Sequence, residues 1–239
     1  MVVNKLKSRP VHIAHFSDIL CVWAYVSQIR LDELKTKLGD RIYISYHFMN
    51  TFGCTEKRIG EGWQDRGGYT GFHDHVLQVC EAFPHVEISP DVWKVCTPSS
   101  SAMSHLFLKS LQLLEEKNLI SAESIPKYNN RSLFEEIIWQ MRLSFFKEAR
   151  DISQLSVLME IAEQFEIPPA AIEEHLSNGK AMAALCRDIE LKDTHKLEGS
   201  PTYLLNDGRQ KLYGNVGYRI IEANVMELLE KPEGQASWC

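Results

Sequence analysis

The chain has 239 residues, 44% of them hydrophobic and 24% charged, with 26 basic against 32 acidic side chains and a formal net charge of −6. This length and composition fit one large globular domain or a domain carrying a sizeable insertion, and the acidic balance without a dense basic patch argues against a surface that coats nucleic acid. No run approaches the ~20 apolar residues of a membrane span, and the first ten residues lack the apolar core of a signal peptide, so a cytoplasmic protein with no membrane association is the expectation.

The first element is a short strand over residues 11–16, apolar on both faces as in the centre of a covered sheet. A polar turn follows, and a helical pattern begins near Val22 and carries Tyr25, Val26, Ile29, Leu31, Leu34 and Leu38 before Gly39-Asp40 stops it. Residues 41–48, rich in Ile and Tyr, make a second strand. Together these form a βαβ unit with parallel strands and a right-handed crossover. Residues 51–70 are rich in glycine and charge and read as a long irregular connection without a phosphate-cradling pattern.

Helical periodicity then dominates. It predicts helices over residues 72–83, 99–116, 131–147 and 153–165, a further one opened by Pro168-Pro169 and closed by Asn178-Gly179, and one over 180–195. The last forty residues return to β character. Residues 202–205, the turn Asn206-Asp207-Gly208 and residues 210–213 form a hairpin, and a final helix from about Gly217 ends at Pro232. The tail to Cys239 reads as mobile. There is no fixed-length repeat and no low-complexity tract.

Six cysteines, Cys21, Cys54, Cys80, Cys96, Cys186 and Cys239, occur without Cys-x-x-Cys or metal-ligand spacing, and free thiols in a reducing compartment are expected. His73 and His75 lie two apart on a predicted helix, which points them to different faces. A solvated surface rather than a metal site is the expectation. Cys21 sits where the first strand hands over to the first helix. Free N–H groups and the positive dipole end there stabilise an anion, so a solvent-facing Cys21 is expected to have a pKa below about 8.5. The alternative is an inert, buried cysteine under the helix.

The two β-containing ends are each too small to bury a core alone. They should pair into one thioredoxin-like α/β sheet from residues 10–52 and 197–232, with residues 53–196 as an all-helical insertion. Gly199-Ser200-Pro201-Thr202 places a proline at a strand entrance, where a cis peptide can form.

From residue 11 to residue 229 the chain resembles the DsbA superfamily, in its branch of FrnE-like and predicted dithiol–disulfide isomerase proteins, with kappa-class glutathione transferases and 2-hydroxychromene-2-carboxylate isomerases as near relatives. Phe16-Ser17-Asp18 followed by Cys21-Val22-Trp23-Ala24 resembles the active-site turn of that superfamily. Residues 99–105 are similar to its Asn-Thr…Ala-His helix, with departures at Ser101 and Met103. Phe145-Phe146-Lys147-Glu148-Ala149-Arg150-Asp151-Ile152 is close to Phe-Phe-x-Glu-Gly-x-Asp-Ile, and Gly199-Ser200-Pro201-Thr202-Tyr203 matches the segment that carries a cis proline.

The main departure is Ala24, which stands where redox members hold a second thiol, so this site cannot form its own internal disulfide. The resemblance implies a monothiol oxidoreductase in which Cys21, beside Pro201, forms mixed disulfides that an external thiol such as glutathione resolves. No bound cofactor or metal is expected. The partner is glutathione or a thiol- or disulfide-containing peptide, with a homodimer left open. The backbone at Ser200 and Thr202 would pair with an extended substrate, Trp23 would wall the sulfur, and Asn50 falls where the glutathione-using relatives hold the ligand. Asp18 would tune the thiolate or cap the turn. Cys54 is the candidate spare thiol, whereas Cys80, Cys96 and Cys186 read as structural.

Two other functions fit the same residues. One is a glutathione-dependent isomerase or transferase acting on a small hydrophobic electrophile, with Trp63, Phe107, Trp139 and Phe145 as candidate pocket walls. The other is a binding module without redox capacity.

Overall fold

The computed structural model describes residues 9–229; the expected helix stop at Pro232 and the tail to Cys239 lie outside the described residues. A four-stranded sheet forms the centre, in the order β2-β1-β3-β4. Strand β1 (Val11–Ser17) runs parallel to β2 (Ile42–Phe48), in register from Val11 opposite Ile42 to Ser17 opposite Phe48. Helix α1 (Val22–Leu38) is the crossover between them. Strand β3 (Thr202–Leu205) lies antiparallel on the other side of β1, and β4 (Gln210–Tyr213) completes the sheet as a hairpin partner of β3. The hairpin turn runs through Asn206, Asp207 and Gly208 at φ of 44°, 55° and 96°. Asn, Asp and Gly tolerate such values best, which is why the turn was legible in the sequence.

Between the halves of the sheet run α2 (Gly68–Glu81), α3 (Ala102–Glu116), α4 (Leu133–Phe146), α5 (Leu155–Gln164), α6 (Pro169–Ser177) and α7 (Lys180–Thr194), and α8 (Tyr218–Leu229) closes the chain. This is the thioredoxin-like arrangement with a helical insertion expected from the sequence. The larger of two apolar cores runs through both parts: the Tyr25 ring of α1 stacks on Phe146 of α4 at 4.6 Å between centroids and on Trp139 at 5.4 Å.

Residues 51–70 depart from the expected irregular connection. They contain a π-helical segment, Glu56–Glu61, and a 3-10 turn, Gln64–Arg66, and α2 starts at Gly68 rather than Phe72. The glycines here make tight helical turns possible. A Cβ on Gly71 would lie 1.7 Å from the Arg66 carbonyl oxygen, so no other residue fits this approach of one turn on the next. Composition alone reads such a stretch as loop because its glycines mark close packing as well as flexibility.

Ala149 stands where the resembling signature has glycine, and its φ of 50° lies in the left-handed region that a Cβ disfavours. Ala149→Gly is therefore expected to raise stability by about 0.5–1 kcal/mol, the relief outweighing the added freedom of the unfolded chain. A higher urea midpoint with an unchanged slope bears this out; an unchanged or lower midpoint contradicts it.

Candidate active site

The turn between β1 and α1 is built on a buried carboxylate. Asp18 is 0% exposed; its Oδ1 accepts the N–H of Leu20 at 3.0 Å, and its Oδ2 accepts the N–H of Phe52 at 2.7 Å and the Ser101 hydroxyl at 2.8 Å. Its own N–H donates to Ser200 Oγ at 2.9 Å. One residue thus ties the turn to the segment after β2, to the start of α3 and to the loop before β3. His105 of α3 accepts the N–H of Ile19 at Nε2, at 3.2 Å. That nitrogen carries no proton, so its 3.6 Å approach to Asp18 is not an ion pair, and burial indeed holds the imidazole pKa below its usual value against the pull of Asp18.

Cys21 is the N-cap residue of α1, in extended conformation at φ −81° and ψ 117°. Its thiol donates to the Ser200 carbonyl at 3.3 Å, and the Ser200–Pro201 peptide is cis. The sulfur residue is 5% exposed and lies on the wall of a cleft of ≈ 380 Å³ that Trp23, Asn50, Trp63, His75 and Ser200 also line. Burial pushes the Cys21 thiol pKa up; the hydrogen bond with Ser200 and the backbone groups of Ala24 and Trp23 oppose this without prevailing, and the nearby Asp18 carboxylate adds to the rise. The expectation of a depressed pKa is therefore corrected. It assumed a solvent-facing sulfur, and the loop at Ser200 covers it. Iodoacetamide modification of Cys21 should titrate with a midpoint above that of a free thiol and lag behind the exposed Cys54 and Cys186 at neutral pH. A midpoint below the free value, or Cys21 reacting first, would contradict the burial account.

Beneath the turn, Arg142 of α4 is 1% exposed; its Nη2 donates to Ser17 Oγ at 3.3 Å and its Nη1 to Gln28 Oε1. Burial lowers its pKa to about 10. No carboxylate pairs with it among the described residues, so the floor of the site carries a cation held by neutral groups.

No protein-family model matches the sequence, and no curated protein does. Solved structures do. A "probable DsbA oxidoreductase" from Streptomyces coelicolor superposes with a TM-score of 0.69 at 15% identity, over 94% of this chain and 92% of the other. The cytosolic disulfide reductase DsbM from Pseudomonas aeruginosa gives 0.62 at 17% identity over 90% and 98%. A 2-hydroxychromene-2-carboxylate isomerase gives 0.62 at 14% identity over 92% and 97%. The chain shares the fold of these DsbA-like structures.

Within this DsbA-like fold the sequence-predicted residues separate. Cys21, Trp23, Asn50 and Ser200 meet at one cleft. Pro201 lies behind it, its carbonyl accepting the N–H of Gly214 at 2.8 Å. Thr202 is buried within β3, opposite Phe16 on one side and Tyr213 on the other, and its hydroxyl donates to the Gly199 carbonyl at 2.6 Å. Its backbone is enclosed between β1 and β4, with its N–H and C=O on the β1 side, so the expectation that it pairs with substrate gives way to Ser200, whose N–H has no partner among the described residues. Asp18 caps the turn.

Other expectations need correction too. Phe107 and Phe145 are fully buried in the core and Trp139 stacks on Tyr25, which leaves Trp63 alone of the four on the cleft. Cys54 is exposed and lines a second cavity, with Lys57 and Met182, rather than the cavity of Cys21. Cys186 is exposed rather than structural; Cys80 and Cys96 are buried. His73 is buried and bonded through Nδ1 to the Val92 carbonyl, and His75 packs on Trp63 and faces the cleft, so neither sits on a solvated surface. A helical wheel finds the two faces but not what covers each. Ser101 and His105, which hold the turn, were signalled by the resemblance of residues 99–105 to the superfamily helix without a role attached.

Among the described residues no helix is long and apolar enough to cross a membrane, and no cluster of His, Cys, Asp and Glu has a metal-holding arrangement.

Proposed function

We propose that the chain is a monothiol thiol–disulfide oxidoreductase that works through a mixed disulfide at Cys21, with glutathione as the resolving thiol, in a reducing, cytoplasmic compartment. The observation that carries this reading is the Cys21 thiol held on the Ser200 carbonyl at the wall of a cleft, with Ala24 in the helical turn after it and, among the described residues, no second cysteine lining that cleft. Cys21 sulfur attacks one sulfur of a substrate disulfide; the new S–S bond forms as the old one breaks, and the departing sulfur takes up the proton that Cys21 loses. A glutathione thiol then attacks the mixed disulfide, restores Cys21 and leaves with the substrate sulfur as its own disulfide. Ser200 N–H and Asn50 would hold the cysteinyl part, with Trp23 beside it; all three residues line the cleft. The structure of Pseudomonas DsbM solved with GSH supports glutathione as the partner.

The direction proposed is reduction of substrate disulfides at the expense of glutathione, the thiol that resolves the mixed disulfide. The test is turnover of a glutathionylated peptide with glutathione, wild type against Cys21→Ser. Turnover in the wild type and background in the variant supports the reading. Background in both leaves a binding module. Glutathione-dependent isomerisation or transfer is a second reading, favoured by the likeness to the 2-hydroxychromene-2-carboxylate isomerase structure.

A further inference from the structure

The cleft at Cys21 does not end there. Asn50, Thr51, Arg58 and Trp63 line both the cavity of Cys21 and a second lobe of ≈ 990 Å³. One wall of that lobe is cationic, with Lys57, Arg58 and Arg66. The other is apolar, with Met182, Leu185 and Ile189 of α7, spaced three and four apart and so on one helix face. Met182 is 51% exposed.

What sets this wall apart is three cations lining one cavity. Lys57, Arg58 and Arg66 have no carboxylate within 4 Å among the described residues. Among the described residues no acidic side chain lines the lobe, and the Arg66 guanidinium lies over the Trp63 ring at 5.2 Å, which orients it. A cleft lined by one sign of charge concentrates the opposite sign, and an apolar wall facing it favours a ligand that is itself two-sided.

We propose that this lobe binds an amphipathic organic anion, its apolar body against Met182, Leu185 and Ile189 and its acid group on Arg58 and Arg66. Arg58 lines both cavities, so an acid bound on it lies beside the cavity of Cys21. Resting on the thiol chemistry proposed above, this makes thiol or disulfide substrates that carry an apolar acid the preferred ones.

Calorimetric titration with octanoate tests the site, with acetate and 1-octanol as comparators. Octanoate should bind about tenfold or more tightly than either, because neither comparator has both the charge and the apolar body. Arg58→Ala/Arg66→Ala and, separately, Met182→Asp should each weaken octanoate about tenfold at unchanged melting temperature, while Arg209→Ala, an exposed change elsewhere, should not. Octanoate binding the double variant as it binds wild type, or 1-octanol binding as well as octanoate, would overturn the proposal. Cys21→Ser separates the two readings: it should bind octanoate as wild type does while losing turnover. Octanoate selectivity without turnover in the wild type counts against the thiol chemistry only, and turnover without selectivity against this site only.

Discussion

Replacing Asp18 with alanine is expected to lower stability by about 3–5 kcal/mol, the largest effect of any single change at the turn. The carboxylate is fully buried and accepts from Leu20 N–H, Phe52 N–H and the Ser101 hydroxyl, three donors in three different segments. Removing it strands all three in a place water does not reach, and each unsatisfied group costs its own desolvation. Asp18→Asn keeps one acceptor oxygen and should lose roughly half as much. Urea unfolding of the two variants measures both. A loss below about 1 kcal/mol for the alanine would mean that the three donors find other partners and that Asp18 does not organise the turn.

Cys21→Ser is expected to abolish disulfide exchange, by roughly a thousandfold or more to background, with little change in stability. Serine keeps a donor for the Ser200 carbonyl and nearly the same volume, so the covered turn should survive. An alkoxyl oxygen, however, forms no disulfide. The split between lost exchange and retained fold is the diagnostic. Residual exchange above one tenth of wild type would place the reacting sulfur elsewhere, with the exposed Cys54 first in line. A large drop in stability would show instead that the thiol is chiefly a packing group, as its 5% exposure allows.

What could be read from the chain divides along the reach of the interactions. The β1-α1-β2 unit and the β3-β4 hairpin were legible because their signals are local: a covered apolar strand, Gly39 at a helix end, and Asn206-Asp207-Gly208 in a turn that demands positive φ. The meeting of Cys21 with Ser200 across nearly the whole chain was legible only through the resemblance, since nothing local in either segment requires the other. The sign of the Cys21 pKa shift was not legible. The N-terminus of α1 does supply favourable backbone groups, but the covering loop decides the outcome, and burial is a property of the assembled fold. Arg142 was missed for a related reason. In sequence it is one basic residue on an amphipathic helix, and only packing shows it beneath Ser17 with no carboxylate to meet it. His73 and His75 fail the same way: periodicity separates their faces, but not protein from solvent.

In the proposed reaction Cys21 is the sulfur that carries the mixed disulfide. Incubating the protein with glutathione disulfide, trapping free thiols and mapping the adducts by peptide mass spectrometry tests it directly. A glutathione adduct on Cys21 that added glutathione removes is expected, alongside any adducts on the exposed Cys54 and Cys186. Adducts confined to Cys54 and Cys186, with Cys21 recovered as a free thiol however long the incubation, would contradict it.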